Sequence, residues 1–295
     1  MTKNLPHLTL ALLVAAFPLA AQTPFPNPQA AARALVSAAE LNDTGALMKL
    51  FGPEGKPIVD SGDAAEDRAL RLQFAKLAQE KLQVVERDST HATLLVGNGE
   101  WPFPVPLVLA KGEWRFDTPT GKTEVLARRI GRNETNAVEV CRGYVEAQMQ
   151  YASADRDANG VLEYAQKIVS SAGKKDGLYW EGESALVPKA FSDAAAAMGE
   201  ARKPAPYHGY YFRILKAQGA GAEGGALEYI VKGKMIGGFA LIAWPADYGA
   251  SGIKSFLVNH KGIVYEKDLG ASTAALARQT TRFDPDKTWK PVTLE

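Results

Sequence analysis

The chain has almost no cysteine. Cys141 is the single thiol among 295 residues, so no internal disulfide can close and stability has to come from packed cores. There is no excess of charge. Lys and Arg number 34 against 33 Asp and Glu, a net charge of +1, which leaves no general field to gather nucleic acid or an acidic surface. Histidine is scarce too, with 4 residues, and His208 and His260 lack the spacing of a metal pair; they read as strand-end or turn residues. No Gly-x-Ser-x-Gly elbow, phosphate loop or dinucleotide fingerprint occurs. Residues 219–225 are rich in glycine, but they join two expected strands and lack the following helix that would hold a phosphate.

No apolar run reaches the roughly 20 residues that a membrane helix needs. The longest, Leu8 to Leu19, follows Lys3 and precedes the small pair Ala20-Ala21. A charged start, a short apolar stretch and small residues at a cut site describe an export leader. The expectation is cleavage near Ala21 and a periplasmic or secreted protein with no membrane span in the mature chain. No Cys lies near the cut to carry a lipid.

What remains has the composition of a folded protein, with 46% hydrophobic and 23% charged residues. Apolar spacing predicts helices over 29–51 and 64–82, then strands at 83–87, 90–96, 103–109 and 112–117. A long helix follows at 120–153, with Gly131 as a place where it could kink. Shorter helices are expected at 160–172 and 185–201. A second meander is expected at 208–215, 227–232, 237–243, 253–259 and 263–267. The predicted class is α+β: helices plus an antiparallel meander, then a long helix packed on a second antiparallel meander. The expected division is a leader at 1–21, a domain at 25–118, a second at 119–270 and a tail at 271–295.

One motif has the geometry of chemistry. Asp155, Asp157 and Asn159 put oxygen side chains at positions one, three and five of a loop, with Gly160 at six, as a calcium loop does. Gln166 stands where a bidentate Glu is usual, so Glu163 joins the candidate ligands and any Ca2+ affinity is expected to be weak. The other reading is a solvated turn closed by an Asx-type cap; both stay open. Aromatic residues, among them Trp180, Tyr210, Trp244 and Tyr248, are candidates to line a groove for a peptide or sugar, or else pack in the core. Cys141 falls on the apolar rhythm of the long helix and reads as an inert buried thiol.

Several motifs carry a family resemblance: Arg128-Arg129-Ile130-Gly131-Arg132-Asn133-Glu134, Glu163-Tyr164-Ala165-Gln166, Asp176 to Trp180, Tyr207 to Phe212, Gly238-Phe239-Ala240 to Pro245, and Tyr265 to Gly270. Together they resemble the exported bacterial proteins grouped as domain of unknown function 2950. That implies export and supplies no activity. Residues 133–270 also resemble the head of a pilin-like protein, in a helix beginning Asn133-Glu134, the piece GYYFRIL, and the pair Ser255 to Asn259 and Lys261 to Tyr265. A pilin carries an apolar helix ahead of this region. Here the stretch holds Lys122, Glu124, Arg128, Arg129 and Arg132, each costing several kcal/mol at a bilayer centre, which excludes a membrane-stored fibre subunit. The function expected is binding or assembly in the envelope, with an envelope protein, peptide or sugar as partner and no nucleic acid. The alternative is an envelope hydrolase built from dispersed carboxylates such as Asp176, Glu181 and Asp247.

Overall fold

The computed structural model describes residues 22–156, 158–182, 184–196 and 206–293. The leader, Asp157 and the end of the helix expected at 185–201 lie outside the described residues. The chain opens with α1 (Pro28–Glu40) and α2 (Thr44–Phe51). The sequence reading made these one helix, because the apolar rhythm runs through both. The backbone breaks where Asn42 takes a positive φ of 50° and Asp43 caps α2 by accepting the amide of Ala46. Asn27 caps α1 in the same way, with Pro28 in its first turn.

A short α3 (Lys56–Val59) leads to α4 (Ala64–Glu80), capped by Asp63. The strands β1 (Leu82–Glu86), β2 (His91–Val96), β3 (Trp101–Pro102), β4 (Leu107–Ala110) and β5 (Glu113–Phe116) pair antiparallel in the order β1-β2-β4-β5, with β3 also on β2. The strand expected from 103 starts only at Leu107. Pro104 and Pro106 have no N–H to give a ladder, so the chain crosses there as coil. The first core gathers Leu35, Leu47, Phe51, Leu94, Leu107 and Phe116.

The helix α5 (Thr118–Ala152) runs 35 residues without a break, about 50 Å. Asp117 caps it, and Gly131 interrupts nothing. It serves both halves. Val125 packs on the first core, while Ala137, Cys141, Tyr144 and Tyr151 belong to the second.

After α5 come α6 (Lys189–Ala196), β6 (Tyr210–Leu215), β7 (Ala217–Gln218), β8 (Leu227–Glu228), β9 (Ile230–Val231), β10 (Lys234–Met235), β11 (Ala240–Pro245), β12 (Lys254–Asn259), β13 (Val264–Asp268), α7 (Thr273–Gln279) and β14 (Lys290–Pro291). The main sheet has the order β14-β13-β12-β11-β6, all antiparallel, with Ala243 opposite both Phe212 and Phe256. Every residue of the interior strand β11 is buried, which is why it reads as a continuous apolar run. The fold is therefore α+β, as the pattern of elements implied.

One expectation in this half needs correcting. Residues 160–172 form no helix. Their apolar spacing is helical, but their backbone is bonded to other parts of the chain: Tyr164 N–H donates to Met235 O, and Ala165 bonds through both backbone groups to the Gln148 side chain. The tail, described over residues 271–293, docks on the second sheet. Arg213 on β6 donates to the carbonyls of Ala277, Arg278 and Thr280, holding the end of α7, and β14 pairs with β13.

Candidate functional site

The first of the family-resemblance motifs, 128–134, turns out to be a joint. Arg129 donates to Pro57 O at 2.7 Å, and Arg132 pairs with Glu66 at 3.1 Å, both toward the N-terminal half. The next two residues face the other way. Asn133, 3% exposed, donates to Ser251 O, and Glu134 Oε1 accepts the amides of Ile253 and Lys254, each at 2.9 Å. The Tyr210 hydroxyl donates to Lys254 O in the same neighbourhood. Gly209 sits at φ 73° with the Asn133 amide against it, and a Cβ there would collide. Two motifs distant in sequence thus meet where the halves join.

Beside that joint, on the N-terminal side, lies a cavity of about 210 Å³ between α1, α4 and α5. Its floor is apolar. Phe51, Phe74 and Phe103 take part in it, and Phe103 lies 5.2 Å from Phe74 and 6.4 Å from Phe116 between ring centres. Its charged lining is four guanidiniums, Arg71, Arg128, Arg129 and Arg132, against the one carboxylate of Asp67. Arg71 is committed to Asn42 Oδ1 and Val59 O, and Arg128 to Glu124 and Pro102 O. Asp67 accepts the amide of Ser61. Arg129 differs from its neighbours. It is only 8% exposed, and the bond to Pro57 O occupies one of its five N–H donors. Burial lowers the pKa of this guanidinium; Asp67 works in the opposite sense, and Arg132 adds to the lowering. Sequence reasoning missed this pocket. It used the arginines only to exclude a membrane helix, although Val125, Arg128, Arg129 and Arg132 recur at helical spacing and so share a side of α5.

Among the described residues, those singled out from the sequence are not gathered into one site. In the loop after α5, Asp155 accepts the amides of Asn159 and Gly160, and Ala158 and Gly160 both have positive φ. Asn159 Nδ2 donates to Glu163 at 2.6 Å. Glu163 also accepts the amide of Met235 and lies 3.7 Å from Lys234, while Gln166 donates to Gly233 O. The last two candidate ligands therefore hold the β9–β10 hairpin. Among the described residues no group of three or more His, Cys, Asp or Glu side chains is placed to hold a metal ion.

The aromatic groove is not formed by the residues expected to line it. Tyr210 and Trp244 are 0% and 1% exposed, packed against Phe256 and Tyr211 respectively in the sheet core. Both lie on strands whose two faces are covered, so alternation leaves neither ring facing water. Trp180 is buried, with Arg156 and Lys175 over its ring, at the edge of a hollow that Ser170, Lys174 and Asp193 also border. Tyr248 is at the surface, 3.3 Å from Asp268.

Nor do the carboxylates of the hydrolase alternative converge in the described contacts. Asp176 is bound to Lys167 at 2.6 Å and to Ser171; burial alone would raise its pKa, but these bonds outweigh it and bring the value down to about 2. Glu181 borders the hollow beside Trp180, and the turn at Asp247 is closed by Ser251. Cys141 is fully buried, and burial pushes its thiol up to about 12. His208 lies tilted against Tyr207, whereas His260 packs among Tyr229 and Phe239. No helix among the described residues is long and apolar enough to cross a membrane.

Comparison with known families matches residues 22–292 to a family described as Protein of unknown function (DUF2950). No curated protein and no solved structure matches the chain. The pilin-like likeness is therefore not confirmed.

Proposed function

The chain belongs to the DUF2950 family, and from that premise we propose that it is an exported envelope protein that works by binding a ligand in its N-terminal half. The observation that carries this reading is the cavity between α1, α4 and α5, where an apolar floor meets a charged wall. The joint built by residues 128–134 supports it. Those residues fix α5 to both halves, so the wall of the pocket is held in place before anything enters. The leader-like residues 1–21 support the compartment. In the same proposal the loop at Asp155 is a weak, structural Ca2+ site. Supporting that part is the turn itself, which wraps its backbone around the Asp155 carboxylate.

Two measurements test the core of the proposal. N-terminal sequencing of the protein from the envelope fraction should begin near Gln22; an intact Met1 there would refute export. Native mass spectrometry of the same protein should show a bound small molecule that is absent from Leu70→Trp, a substitution that fills the pocket from α4. Identical spectra without any adduct would refute ligand binding.

A further inference from the structure

We propose that the N-terminal pocket takes a small amphipathic anion, its apolar tail among the phenylalanines and its carboxylate or phosphate head on Arg129. The inference rests on the binding function proposed above and names the chemical class of the ligand.

The argument begins with Arg129. A guanidinium is planar, always charged and carries five donors. In water all five are satisfied. Here the side chain is 8% exposed and makes one hydrogen bond, to Pro57 O. None of its other nitrogens is both fully buried and unpartnered, so the remaining donors keep a narrow access to the solvent of the pocket they line. The nearest lining carboxylate, Asp67, is itself 8% exposed and bonded to the Ser61 amide; the distances form no ion pair between the two. The other acids are turned elsewhere: Glu66 is paired with Arg132, Glu124 with Arg128, and Asp60 accepts the amide of Gly62. An anion entering the pocket would replace water on these donors with charge-assisted bonds, and Arg128 and Arg132 at the mouth, both more than a third exposed, would draw it in.

The rest of the pocket sets the tail. Phe51, Phe74, Phe103 and Val125 offer no polar partner to an inserted group, so the inserted part is hydrocarbon. Its length follows from volume. A cavity of about 150 Å³ accepts benzene, and the space here is about 210 Å³. That fits a tail of roughly six to eight carbons or one substituted ring, and excludes a long-chain lipid buried whole.

The test is calorimetry on the full chain with four eight-carbon probes: octanoate, octyl phosphate, octan-1-ol and octylammonium. Octanoate or octyl phosphate should bind, and whichever binds tighter identifies the head group. Octanol should bind about ten- to a hundredfold more weakly, the loss of one charge-assisted hydrogen-bond set, and octylammonium not at all. Arg129→Lys should retain part of the affinity and Arg129→Gln lose about tenfold or more. Because Arg129→Gln could also disturb folding, Arg128→Gln is measured beside it and should slow association at low salt without changing the fold. Leu70→Trp should abolish binding. Equal affinity for octanol and octanoate would overturn the anionic class while leaving a binding pocket. Octanoate binding unchanged in Leu70→Trp would overturn the location. No binding of any probe would overturn the pocket reading itself.

Discussion

Gln148 should be among the most sensitive positions in the second core. Its side chain is fully buried. The amide donates to Ala165 O at 2.8 Å and to the Tyr144 hydroxyl at 2.9 Å, and its oxygen accepts the Ala165 amide at 2.8 Å. This single side chain closes both backbone groups of a residue that is 1% exposed. Gln148→Leu keeps the volume and removes all three bonds. Two orphaned backbone groups cost about 1–3 kcal/mol each, and the easier burial of leucine returns part of that, so the net loss is about 2–4 kcal/mol. For a chain of this size that lowers Tm by roughly 4–7 °C. Thermal unfolding followed by circular dichroism measures it. Gln148→Glu separates bonding from packing. Its carboxylate keeps the acceptor for Ala165 N–H but faces Ala165 O without a proton. Burial would raise its folded pKa above the unfolded value of about 4.3. The folded state then favours the protonated form, so the variant is closest to wild type below about pH 4 and loses stability as pH rises through the folded pKa. A Gln148→Leu protein within about 0.5 kcal/mol of wild type would show that residues 160–172 do not depend on this anchor.

Glu134→Ala should cost about 2–3 kcal/mol by stripping two amides of their shared acceptor, and Glu134→Gln less than half of that; equal losses in urea unfolding would contradict the geometry. A thiol reagent at pH 8 should label Cys141 only after denaturation, since burial pushes the thiol up to about 12; rapid labelling of the native protein would refute this. If the Asp155 loop takes Ca2+ at the expected 10⁻⁴ to 10⁻³ M, roughly the extracellular range, a hundredfold excess adds about 2.7 kcal/mol. Melts in calcium and in chelator should differ for wild type and coincide for Asp157→Ala; identical melts for both proteins would end the metal reading.

Elements with their own local reasons were legible in the sequence. The long helix from Asp117 and the run at Ala240–Pro245 are cases where spacing and burial agree. The reading went astray where distant partners decide. Val161, Leu162, Ala165, Ile168 and Val169 keep helical spacing, yet Gln148 and Met235 take the backbone bonds a helix would need. Residues 41–43 were a local oversight, because Asn42-Asp43-Thr44 is a start signal written inside an apolar rhythm. The pocket was illegible for another reason. Its walls come from α1, α4 and α5, and nothing in one segment announces that Phe74 and Phe103 will face Arg129. Tyr210 and Trp244 show the converse: a cluster of aromatic residues in sequence gives no sign of which side of a strand is covered.

The helix α5 has a further consequence, for heredity as much as for folding. Its first turns complete one core and its last turns the other, so neither half owns it. A cut at residue 118 would take Val125 and Arg129 from the first half, and one at residue 152 would take Tyr144 and Gln148 from the second. Melting either core releases the strut on which the other is assembled, and the two should disappear in a single transition. A gene that lost either half would encode an incomplete core. The family match spans 22–292, across both cores at once, as expected if the smallest part that can be inherited is the whole.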